Sequence, residues 1–72
     1  MNFNNLPKLS PTEIKVLYLL TQGLENEEIA NIMNVSTHTI KAHIQSILRK
    51  LEAKNRTHAA CIAIINKLIS FP

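Results

Sequence analysis

Ile14, Leu17, Leu20 and Leu24 return every three or four residues, which is the spacing of one helical face. "SPTE" stands directly ahead of them: Ser10 can cap, Pro11 suits a first helical position and Glu13 completes a capping box. Gly23 offers the positive φ that ends such a helix, so the pattern predicts a first helix over residues 11–22. In "ENEEIANIMN" the apolar stripe is shorter, Ile29, Ile32 and Met33. Asn26 is its candidate cap, Glu27 and Glu28 favour the positive end of the helix dipole, and Asn34 tolerates a left-handed backbone at the far end. That predicts a second helix over residues 27–33, then Val35 as a buried turn residue and Ser36 as the next cap. Ile40, Ile44, Ile47, Leu48 and Leu51 form one narrow stripe along a third helix, residues 37–51. "EAKN" interrupts it, and Asn55 caps a fourth helix over residues 56–69. The expected fold is all-α, a compact four-helix domain containing a helix-turn-helix, with residues 1–8 as a flexible N-terminal arm and 9–72 as the domain.

Composition narrows the possibilities. A chain of 72 residues with no Trp, one Tyr and two Phe builds a thin aliphatic core, and a single Gly favours helices over many-turned sheet. The lone Cys61 allows no internal disulfide, which suits a reducing compartment. "MNFNNLPK" lacks the pattern of a signal peptide, and "AACIAII" is too short to span a bilayer, so a soluble cytoplasmic domain with no membrane partner is expected. The net charge of +3 is unevenly spread. Residues 1–36 set Lys8 and Lys15 against four glutamates, whereas residues 37–72 set Lys41, Arg49, Lys50, Lys54, Arg56 and Lys67 against Glu52 alone. A basic half suits a polyanionic partner, although charge alone leaves an ordinary solvated face equally open.

The side of the third helix opposite its apolar stripe carries His38, Lys41, Ala42, Gln45, Ser46 and Arg49. Cations and amide donors are present there and carboxylates are not. Small Ala42 permits close approach, and Lys and Gln can bond base edges in a major groove that admits a helix. Two short helices joined by a tight turn make a helix-turn-helix, a corner that many helical bundles also contain. The histidines suggest chemistry but do not support it. His38 and His43 are five residues apart and point about 140° from one another, whereas zinc pairs on a helix stand at i and i+4. His58 lies on another helix, and no nucleophile, base and orienting carboxylate can be assembled. No enzyme activity, metal, cofactor or small-molecule ligand is expected, and one glycine cannot build a phosphate loop.

From Leu9 to Ala60, "LSPTE", "GLENEEIA", "VSTHTIKAH", "ILRKL" and "NRTHA" occur in the order and spacing of a known pattern. The chain resembles the DNA-binding domain of the LuxR/GerE type of bacterial transcription regulators. The resemblance implies a third helix that enters the major groove of double-stranded DNA and homodimers on paired half-sites. It places Lys41, Ala42 and Gln45 at base-facing positions. Ser36, Thr37, His38, Thr39, His43 and Arg49 then fall at backbone-contacting or anchoring positions, with Lys54 and Arg56 flanking the DNA. RNA polymerase is an implied further partner, and a bacterial cytoplasm with association to the nucleoid is the implied location. The chain departs from the pattern at Thr12, which replaces an arginine, at Lys15, which replaces a glutamate, and at Asn34 and Glu52, which replace glycines near the two turns.

The fourth helix is apolar nearly all round. Ala59, Ile62 and Ala63 can face the core, which leaves Cys61, Ile64, Ile65 and Leu68 for a symmetric dimer seam or for cover by the tail "ISFP". A sequence-specific DNA-binding regulator is the expected function. The alternative is a protein-interaction module that uses the fourth helix and never touches DNA.

Overall fold

The computed structural model describes residues 8–69 as four helices: α1 (Pro11–Thr21), α2 (Asn26–Met33), α3 (Thr37–Leu51) and α4 (Arg56–Ile65). No strand occurs among the described residues. Apart from Lys8, the expected arm lies outside the described residues, as do positions 70–72 of the tail.

α1 begins where its capping residues require. Ser10 Oγ accepts the Glu13 amide at 3.1 Å, Glu13 Oε1 accepts the Ser10 amide at 2.8 Å, and Pro11 occupies the first turn. The buried arc is Glu13, Val16, Leu17, Leu19 and Leu20. The expected face is thus rotated: Ile14 is 37% exposed and Leu24 lies beyond the helix. A stripe counted from residue 14 and one counted from residue 13 share Leu17 and Leu20, and the charge on Glu13 disguised the true centre.

α2 begins one residue earlier than predicted. Its cap is Glu25, not Asn26, and the Glu25 amide donates to the Glu28 carboxylate at 2.8 Å. Ile29 and Ala30 are buried, while Ile32 is 54% exposed. Val35, expected to be buried, is 41% exposed. Its contribution is made by the backbone, because its amide reaches the Ala30 carbonyl at 3.0 Å after Asn34 turns the chain at φ 57°.

α3 has the expected bounds. Ser36 Oγ accepts the Thr39 amide at 3.1 Å, and Ile40, Ile44, Ile47 and Leu51 are buried along one side. α4 is capped by Asn55, whose side-chain oxygen accepts the His58 amide at 2.8 Å. It ends at Ile65 and not at Ile69. Lys67 adopts φ 54° and the Leu68 amide reaches back to the Ala63 carbonyl at 2.9 Å, so the chain reverses and Ile69 is buried after the helix. Apolar residues at 68 and 69 continue the helical pattern in sequence without continuing the helix.

Three helices therefore end in the same way without glycine. Asn34, Glu52 and Lys67 are all left-handed, and in each case the next residue bonds a carbonyl five positions back. The core is aliphatic, with Val16, Leu17, Ile29, Ile40 and Ile47 completely buried and contributed by α1, α2 and α3. Ala59, Ile62 and Ala63 close it from α4.

Candidate nucleic-acid interface

Burial of Ile40, Ile44, Ile47 and Leu51 decides which side of α3 is left free. His38, Ala42, Gln45 and Arg49 each precede one of these residues by two positions, which places them about 160° away around the helix. All four are exposed, as is Lys41 at the flank of the row. α3 has 15 residues and none of them is acidic. The side chains of His38, Lys41 and Gln45 form no hydrogen bond or ion pair among the described residues, whereas Arg49 Nη2 donates to Ser46 Oγ at 3.4 Å.

Other predicted residues are placed differently. Ser36 is exposed at the cap, while Thr37, Thr39 and His43, within α3, are half-buried. Lys54 is exposed, and its amide donates to His58 Nδ1 at 3.0 Å, which shapes the loop between α3 and α4. The Arg56 guanidinium is engaged within the protein. It donates to Asn26 Oδ1 at 2.7 Å and to the Leu24 carbonyl at 2.9 Å, joining the start of α4 to the start of α2. On α4, Cys61 is exposed, Ile64 is 50% exposed and Ile65 is 77% exposed. Leu68 lies past the helix end, half-buried against the core.

One site was not visible in the sequence beyond its local half. Glu13 is 5% exposed. Besides the Ser10 amide it accepts from Lys50 Nζ at 2.7 Å and from the Ser46 hydroxyl at 2.6 Å. Burial pushes its carboxyl pKa up, but the bonds from Lys50, Ser10 and Ser46 outweigh burial and hold it at about 2, below the ordinary 4.5. The capping box was legible because its members are three residues apart. Partners 33 and 37 positions away left no local signal. Lys50 and Ser46 thus fix the side of α3 that faces α1, and Lys50, one of the cations of the basic half, is neutralised by Glu13.

Among the described residues, no group of three His, Cys, Asp or Glu side chains stands at metal-binding distance and no helix is long and apolar enough to cross a membrane.

A short helix, a turn through a left-handed residue and a longer, acid-free helix with an open outer face define the helix-turn-helix class. The model of the GerE family, bacterial regulatory proteins of the luxR type, matches residues 7–63, and the chain belongs to that family. The chain is 42% identical over 65 residues to YhjB of Escherichia coli (strain K12), whose name places it among HTH-type transcriptional regulators; the match covers 90% of this chain and 32% of YhjB. It is 43% identical over 54 residues to the nitrate/nitrite response regulator protein NarP of Escherichia coli (strain K12), covering 75% of this chain and 25% of NarP. To the response regulator protein VraR of Staphylococcus aureus it is 38% identical over 61 residues, covering 85% of this chain and 29% of VraR. The chain thus spans about a quarter to a third of the length of these curated relatives. The matched region is a DNA-binding helix-turn-helix domain of transcription regulation, a class of regulators rather than of enzymes.

Proposed function

We propose that the chain binds duplex DNA sequence-specifically as a homodimer, with α3 in the major groove, as the DNA-binding part of a transcription regulator. The observation that carries this reading is the open, acid-free face of α3, whose Lys41 and Gln45 side chains have no partner among the described residues. Lys41 and Gln45 bond base edges, and Ala42 admits the groove floor. Ser36, Thr37 and Thr39 at the start of α3, His43 and Arg49 along its sides and Lys54 in the following loop set the register on the phosphates. Arg56 supports that loop from within, because its guanidinium is already bonded to Asn26 and Leu24. Two copies meet through Cys61, Ile64 and Ile65, with Leu68 at the margin, and a two-fold axis there spaces the reading helices about one DNA turn apart.

Titration with random-sequence duplex DNA, followed by selection from a randomised pool, tests the reading. Affinity should fall steeply as salt rises, and the selected sites should be paired half-sites. Lys41→Ala with Gln45→Ala should sharply reduce sequence preference at the positions these two side chains read while helical content is unchanged. Absence of binding even at low salt would refute the proposal.

A further inference from the structure

The His38 side chain has no role in the core, no metal partner and no hydrogen bond among the described residues, yet it is exposed on the same row as Ala42 and Gln45. It is the second residue of α3, two positions after the cap at Ser36. In a helix-turn-helix, residues at the start of the second helix are those that reach base edges. From the geometry of that row, resting on the DNA-binding reading above, we infer that His38 is a specificity-determining residue that contacts a base and not the phosphate backbone.

The row sets the spacing. His38 precedes Gln45 by seven residues, which is about 10 Å of helix rise and about three base-pair steps of B-DNA. Lys41 lies between them at the flank. The chemistry sets the preference. An imidazole N–H can donate to the N7 acceptor that both purines display in the major groove, or to O4 of thymine, whereas cytosine presents only an amino donor there. Gln45, as an amide, suits adenine. Each half-site is therefore expected to disfavour cytosine at a position about three base pairs from the adenine read by Gln45. α3 contributes no carboxylate that could select cytosine.

Selection from a randomised duplex pool, run on the whole chain and on His38→Ala, His38→Gln and Gln45→Ala, tests this. His38→Ala should relax the preference at one outer position by about tenfold, the size of a single lost base contact, while the position read by Gln45 stays selective. Gln45→Ala should do the reverse. His38→Gln, which keeps an N–H donor, should retain the preference against cytosine. Unchanged selectivity in His38→Ala would overturn the assignment. So would a uniform loss of affinity with a salt slope shallower by about one, because that marks a phosphate contact. If the unsubstituted chain binds no duplex, the DNA-binding reading itself falls, an outcome distinct from selective binding that ignores position 38.

Discussion

At Glu13 one carboxylate performs two tasks that a local pattern cannot show together. Its Oε1 completes the α1 capping box and meets Lys50, and its Oε2 receives the Ser46 hydroxyl. The folded-state pKa lies below the ordinary value, so the stabilisation is complete above pH 4.5 and is lost as pH falls toward about 2. The shift corresponds to about 3 kcal/mol for this nearly buried group. Glu13→Gln should remove stability of that order at pH 7, because Lys50 would lose its countercharge. It should also flatten the stability profile between pH 4.5 and 2, which denaturant titrations at several pH values would show. A Glu13→Gln profile as steep as that of the unsubstituted chain would mean that another carboxylate carries the acid sensitivity.

For single elements, legibility followed the reach of each signal. α3 was readable from end to end because Ser36, the apolar stripe and the break at Glu52 are all local. The other three helices were less so. α1 was placed correctly but rotated, because its buried arc contains an acid. α2 took Glu25 as its cap where Asn26 has the stronger intrinsic preference, since the Asn26 side chain is held by Arg56. α4 was overextended, because a reversal through a lysine carries no glycine to mark it. The candidate face of α3 followed from its apolar stripe, whereas the engagement of Arg56 and Lys50 depends on residues far away in the sequence. The helix ends themselves give a stability prediction. Glu52 at φ 54° bears the steric cost of a left-handed conformation, roughly 1–2 kcal/mol for a residue with a Cβ. Glu52→Gly should raise stability by about 1 kcal/mol, or the Tm by about 5 °C after allowing for glycine's greater unfolded entropy. Asn34→Gly should gain less, as asparagine already tolerates that region.

For the whole molecule, the thin core leaves a consequence on α4. Ile65, 77% exposed, and Ile64, 50% exposed, stand beside Cys61 on one side of the helix. The dimer proposal makes these residues the seam. Ile65→Glu should then shift the chain to monomer in sedimentation, and should weaken binding to paired half-sites by at least tenfold while leaving helical content unchanged, since the side chain is not in the core. A dimer that survives this substitution would place the seam elsewhere.

The bonds at Glu13 also bear on how the domain moves. The first turn of a helix ordinarily frays alone. Here the acid that holds the Ser10 amide also holds two residues of α3, 33 and 37 positions further along the chain. Opening the start of α1 therefore releases one flank of α3. Local opening at the two places is thereby coupled, and the Glu13 bonds add to the buried apolar stripe in holding the helix proposed to read DNA.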